Sequence, residues 1–242
     1  MKKHIPNFVT LLNLFCGSIA VLFAVNGDFV ATALFVFLGI FFDFFDGLLA
    51  RKLNVQSELG LQLDSLADMV TSGLVPGIVM FKLLEMSSVS GWSEILSGDS
   101  LFFPSTNFLP LLGLLITLAS AYRLANFNIS TNQSDSFIGL PVPANTLLIL
   151  SLPLIMEFQN NDMMNAIILN KWFLIAITIL SCYLLNANIR LLALKFKNFS
   201  FKDNAARYIL IILAIILLVI FQFAAIPLII LTYIIISLLN KY

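Results

Sequence analysis

Apolar residues run through this chain in long blocks rather than in alternation. A bilayer core calls for about 20 apolar residues per helix. On that measure the blocks lie near 9–26, 29–50, 58–84, 108–127, 139–157, 171–193, 205–222 and 225–240. The last two come from one continuous apolar run. Pro227 is the reason to divide it, since proline disfavours helix in the residue before it. The segment 86–107, with its Ser, Gly, Asp and Pro residues and Trp92, reads as an exposed loop. The pattern predicts an all-α polytopic membrane protein of about eight transmembrane helices. It reads as one integral membrane domain over 1–242, with a core at 5–193 and a C-terminal helical pair at 205–240. No internal repeat is visible.

Composition agrees. The chain has 242 residues, of which 60% are hydrophobic and 11% charged, against about 25% charged in soluble domains. Net charge is zero, so nothing points to nucleic acid. The one histidine, His4, excludes any site that needs two His ligands. Cys16 and Cys182 both fall in apolar stretches and read as small buried hydrophobes. Pro6, Asn7 and Asn13 interrupt the first apolar block and no small-residue cleavage site stands out, so the first span is expected to stay. Lys2, Lys3, Arg51, Lys52, Arg123, Arg190, Lys195, Lys197, Lys202, Arg207 and Lys241 fall on one side of the predicted spans, and only Lys82 and Lys171 on the other. The positive-inside rule then places both termini, and the loop at Arg51, in the cytoplasm.

Against this background four carboxylates are out of place. Asp43 and Asp46 lie at the end of the second block, Asp64 and Asp68 at the start of the third, where a charge near the bilayer centre costs at least ~2.5 kcal/mol. Asp43 and Asp46 share a helix face, which Gly47, Ala50 and Arg51 continue. Asp64 and Asp68 share a face on the next helix, continued by Ser57 and Gly60. A short connection makes the two helices antiparallel neighbours, so the acids are expected to converge in one pocket. Together they need protons or cations. Oxygen ligands without His or thiolate suit Mg²⁺, Mn²⁺ or Ca²⁺. Two divalent ions would cancel the four acids and hold a diphosphate, with Arg51 assisting. The small residues would let a bulky ligand lie against the backbone. A structural ion-pair network is the bland alternative, and four acids on two matched faces argue against it.

Asp43, Asp46, Gly47, Ala50, Arg51, Gly60, Asp64 and Asp68 have the order and spacing of the CDP-alcohol phosphatidyltransferase signature over 43–68, which the chain resembles at every defined position. "NFVTLLNLFCGSIAV" at 7–21, "YRLANFN" at 122–128 and "FIGLPVPAN" at 137–145 resemble the serine-using branch of that family. The resemblance covers most of residues 5–145 and weakens past Pro153. It implies transfer of a phosphatidyl group from CDP-diacylglycerol to L-serine with release of CMP. It makes Asp43, Asp46 and Asp64 ligands of Mg²⁺ or Mn²⁺, two ions per site. Asp68 would be the general base, also touching a metal. Asn7, Thr10, Gly47, Arg51 and Ser57 would hold the CDP group, with Ala50 and Gly60 beside it. It also implies a homodimer in a bacterial cytoplasmic membrane, with the site facing the cytoplasm.

For serine's carboxylate the first candidate is Arg123, which reads equally well as a snorkelling anchor. Arg190, with Asn186 and Asn188 on the sixth span, is the second. Arg207 and Lys195, Lys197 and Lys202 read as headgroup contacts. Gly73 and Gly77 form a G-x-x-x-G pair, read either as a close helix contact or as bending linked to Pro76. Two alternatives compete with the serine reading. One keeps the chemistry with glycerol 3-phosphate or an inositol phosphate as acceptor. The other is a transporter, which would place acids near mid-membrane and often repeat its halves.

Overall fold

The computed structural model describes residues 4–88, 108–129, 136–192 and 201–239. Ten helices and one pair of short strands make up the described residues. α1 (Ile5–Val25) and α2 (Phe29–Lys52) form a hairpin. Its turn is set by Gly27 at φ +78 and by Asp28, whose side chain accepts the Ala31 N–H at 2.9 Å to cap α2. Asn54, at φ 53, ends the next turn. α3 (Glu58–Asp68) starts at Ser57, whose Oγ accepts the Gly60 N–H at 3.1 Å. α3 continues through a π-helical turn (Met69–Leu74) into α4 (Val75–Ser88). A 3₁₀ turn (Leu109–Leu114) leads into α5 (Leu115–Ile129). β1 (Ser136–Ile138), α6 (Val142–Gln159), α7 (Asp162–Ile168), α8 (Lys171–Asn186), β2 (Arg190–Leu192), α9 (Phe201–Phe221) and α10 (Ala225–Leu239) follow.

Among the described residues, six helical stretches suit a membrane crossing by length and apolar composition, or seven if the bent α7–α8 pair is one span. The fold is an all-α polytopic membrane protein. The longest stretch, Asn204–Leu239, is broken where the sequence predicts. The break sits at Gln222, with φ 49, and a 3₁₀ turn through Ala224. Pro227 lies in the first turn of α10, where its missing N–H costs nothing. α9 and α10 pack on each other. Gln159, at the end of α6, holds their turn by donating to the Phe221 carbonyl at 3.0 Å and accepting the Ala224 N–H at 3.2 Å.

The helices are inside out relative to those of a soluble protein. α1 buries Thr10, Asn13, Cys16, Gly17, Ala20 and Ala24 along one stripe, and turns Phe8, Leu11, Phe15 and Leu22 outward. Lipid is as apolar as leucine, so burial of large side chains gains little there, and small residues that admit close backbones line the contacts. The Gly73–Gly77 pair is such a contact. A Cβ on Gly77 would collide with Thr117 Oγ1, one on Gly73 would come within 3.2 Å of Ser120, and Thr117 donates to the Gly73 carbonyl at 3.2 Å. Pro76 acts beside it. Lacking an N–H, it leaves the Ser72 carbonyl without its helical partner, and Thr146 Oγ1 from α6 lies 2.6 Å from that oxygen.

Two expectations are corrected. The sixth span does not reach 193: α8 ends at Asn186. Past it, the Leu140 N–H bonds the Leu184 carbonyl (2.8 Å) and the Gly139 N–H the Ile189 carbonyl (2.9 Å), and β1 pairs antiparallel with β2. The chain entering α6 has taken the hydrogen bonds that a longer helix would have used. Arg190 is therefore an exposed strand residue rather than a helix residue. The loop expected at 86–107 is helical to Ser88; 89–107 lies outside the described residues, as do Lys2, Lys3, Lys195, Lys197 and Lys241.

Candidate active site

The end of α2 and the start of α3 lie side by side against α1, and the predicted acidic faces meet. One carboxylate oxygen from each of Asp43, Asp46 and Asp64 lies within 4.8 Å of the others. Asp46 is 5% exposed. Asp46 Oδ2 and Asp64 Oδ1 are buried without a hydrogen-bond partner. An orphaned buried carboxylate oxygen is costly. Two of them converging with a third acid form a donor set that a hard divalent cation satisfies. Aspartate clusters also occur without metal, but among the described residues no ion pair joins these oxygens to a lysine or arginine.

Asp68 stands apart from this trio. It is one turn beyond Asp64 on α3, and its Oδ1 accepts from Asn13 Nδ2 at 3.4 Å.

Beside the trio opens a cavity of about 750 Å³. Asn7, Thr10, Gly47, Ala50, Arg51, Ser57 and Gly60, all predicted for the CDP group, line it with Asp46 and Asp64. The glycines have different roles. A Cβ on Gly47 would meet only Arg51 Nη2, at 3.9 Å, so its bareness serves the open space. A Cβ on Gly60 would lie 3.2 Å from Ser57 Oγ and 3.3 Å from Asn7 Oδ1, so Gly60 brings α3 against α1. Arg51 is exposed and folds back, its Nε donating to the Gly47 carbonyl at 2.9 Å. That leaves the outer guanidinium nitrogens at the cavity wall.

A smaller cavity, about 220 Å³, holds Arg123, Asn126 and Asn186. Phe127 lines both cavities. Arg123 is 9% exposed, and Nη2 donates to the Gly139 carbonyl at 3.4 Å while Nε is buried without a partner. A guanidinium this deep is no surface anchor. Arg190 lines neither cavity.

Sequence reasoning missed several buried polar groups. Asn145 is fully buried with both amide atoms unpaired, and Ser72 and Ser120 hydroxyls are also unpaired. Asn13 and Thr71 bond each other inside the bundle. Each interrupts an apolar run, and a polar residue inside a spanning helix is the signal that could have found them.

The sequence pattern of the CDP-alcohol phosphatidyltransferases matches residues 3–183, well over half of the chain. The chain belongs to that family. A Bacillus subtilis relative named CDP-diacylglycerol–serine O-phosphatidyltransferase is 34% identical over 145 residues, 58% of this chain and 70% of the relative. One of that name from Helicobacter pylori strain J99 is 33% identical over 60% of this chain and 54% of its own length. An archaetidylserine synthase from Methanothermobacter thermautotrophicus is 28% identical over 61% of this chain and 56% of its own. The chain thus spans little more than half the length of the last two.

Proposed function

We propose that this chain transfers the phosphatidyl group of CDP-diacylglycerol to L-serine, yielding phosphatidylserine and CMP. The observation that carries this reading is the trio of convergent carboxylates at a cavity lined by the residues that the resemblance assigns to the CDP group. The names of the bacterial relatives support serine as the acceptor. The archaeal relative's name keeps serine while naming a different lipid product.

Asp43, Asp46 and Asp64 would hold Mg²⁺ or Mn²⁺, and the family resemblance would have Asp68 touch a second ion as well. Bound there, divalent metal would polarise phosphorus and stabilise charge on the departing CMP. The chain's own residues do the rest. Arg51 meets a phosphate at the cavity wall, and the bare Gly47 leaves room for the nucleotide. Arg123 pairs with serine's carboxylate in the adjoining cavity, its unpaired Nε supplying a donor. Asp68 takes the proton as serine Oγ attacks the phosphorus that carries diacylglycerol. The new O–P bond forms as the bond to the CMP oxygen breaks, and CMP leaves with the electron pair. The positive-inside count puts the site on the cytoplasmic side, which keeps acyl chains in lipid while serine arrives from water. A cytoplasmic bacterial membrane and a homodimer complete the reading; crosslinking in membranes tests the latter.

The test is CMP release by purified protein in detergent with CDP-diacylglycerol and Mg²⁺ or Mn²⁺. Serine, glycerol 3-phosphate and inositol phosphate are supplied separately. Metal-dependent release with serine alone is expected. Release with another alcohol keeps the site and discards serine; no release with any, from folded protein, overturns the transferase reading and reopens transport.

A further inference from the structure

Asp68 accepts a hydrogen bond from a side chain of another helix, and that donor has a support of its own. Asn13, on α1, is wholly buried. Its Nδ2 faces Asp68 Oδ1 at 3.4 Å, and its Oδ1 faces Thr71 Oγ1 at 2.8 Å. An ionised carboxylate only accepts, so the amide must present nitrogen to Asp68 and oxygen to Thr71, which donates. Thr71 Oγ1 is also 3.2 Å from the Asn13 backbone carbonyl. One hydroxyl thus reads the amide's orientation and its position together.

The surroundings are built to let Thr71 reach. It sits in the π-helical turn that follows Asp68, where the Val75 N–H bonds the Val70 carbonyl five residues back. Such a turn adds a residue to the helix and re-aims the side chains around it. Two glycines on the neighbouring helices make the space. A Cβ on Gly39 would lie 2.6 Å from Thr71 Cγ2 and 2.9 Å from Asn13 Oδ1, and one on Gly17 would collide with Thr71 Oγ1. Residues of four elements therefore converge on one buried amide, and Asn13, Gly17, Gly39 and Thr71 are not among those that line the nucleotide cavity.

We propose that Asn13 is a positioning residue for Asp68, oriented by Thr71: it engages Asp68 Oδ1 and so leaves Oδ2 to face the acceptor hydroxyl. The inference rests on the transferase reading above, in which Asp68 is the base. The 3.4 Å separation suits a bond that tightens when substrates assemble, as catalytic hydrogen bonds do. The Thr71 hydroxyl bonds Asn13 and not Asp68, so it tests orientation separately from the Asp68 bond.

The experiment compares wild type with Thr71→Val, Thr71→Ser and Asn13→Leu, all purified in detergent. It measures kcat, KM for serine and for CDP-diacylglycerol, and Mn²⁺ binding by electron paramagnetic resonance. Thr71→Val keeps shape and loses the donor; Thr71→Ser keeps the donor. We expect Thr71→Val and Asn13→Leu to lower kcat by roughly 10–100-fold, with Mn²⁺ affinity and KM for CDP-diacylglycerol within about twofold, and Thr71→Ser to restore most turnover. Wild-type-like kcat in Asn13→Leu overturns the proposal. Equal losses of turnover and Mn²⁺ binding in both Thr71→Val and Thr71→Ser also overturn it, since packing would then explain them. Absence of CMP release by wild type with every alcohol fails the transferase reading itself, and shows before any variant is compared.

Discussion

The α9–α10 hairpin and the run from α3 to α4 differ in a way that inverts soluble-protein intuition. The hairpin is the more apolar of the two, yet only 11% of its spanning stretch is buried in the protein, against 56% for Glu58–Ser88. Val219 is 77% exposed and Ile220 63%. The α3–α4 run carries Asp64, Asp68, Thr71, Ser72, Gly73, Pro76 and Gly77, and most of them are enclosed by α1, α2, α5 and α6. In lipid the apolar surface is already solvated, so hydrophobicity marks what faces outward. Polar and small residues mark what must be held by protein, because unpaired polar groups in hydrocarbon are costly. Asp64 and Asp68 lie in the less apolar of the two regions.

Substitutions can test that contrast from its strongest point outward. Asp46→Asn or Asp64→Asn should cost more than about 3 kcal/mol of transition-state stabilisation, roughly 10²-fold in rate, and weaken Mn²⁺ binding in parallel. Asp68→Asn should abolish turnover while leaving Mn²⁺ and CDP-diacylglycerol binding in place; wild-type turnover there would remove Asp68 as the base. CMP release and Mn²⁺ resonance read both.

Next come the glycines. Gly39→Ala forces a methyl against Thr71 and Asn13, so it should lower stability by about 1–3 kcal/mol, seen in thermal unfolding in detergent. Gly47→Ala has open space before it and should leave the melting temperature unchanged while raising KM for CDP-diacylglycerol. Equal melting behaviour of the two would erase the distinction between packing and cavity glycines.

Arg123→Ala should raise KM for serine about tenfold, the worth of a hydrogen bond to a charged group, and KM for CDP-diacylglycerol by much less. The reverse pattern would move serine recognition elsewhere. Smallest of all, Val219→Ala and Ile220→Ala on the lipid face of α9 should stay within about 0.5 kcal/mol of wild type and keep full turnover. A large loss in either would mean that the hairpin surface is covered by protein, as in a homodimer.

Much of this was legible in the chain. Asp43 with Asp46, and Asp64 with Asp68, could be paired across helices because helical periodicity is local and a short connection forces antiparallel neighbours. The break between α9 and α10 could be placed from Pro227, although the turn itself forms at Gln222. Arg190 could not be placed. Whether α8 ran on through 190 depended on the strand leading into α6, some fifty residues earlier, competing for the same carbonyls. The short α7 was equally hidden, because its residues look like the loop they interrupt.

The sequence by itself determined that this is a helical membrane protein, where its acids lie and which family's chemistry they match, because span length, residue type and spacing are properties of a single segment. Only the tertiary structure decided that three acids converge while Asp68 is held separately, that Arg123 is buried in a cavity and Arg190 is not, and that Asn13 and Thr71 stand behind the fourth acid. Those facts depend on a π-helical turn, on two glycines that admit a threonine and on an amide bonded across helices. The last two are contacts between residues far apart in the chain, whose energy exists only once the helices have packed.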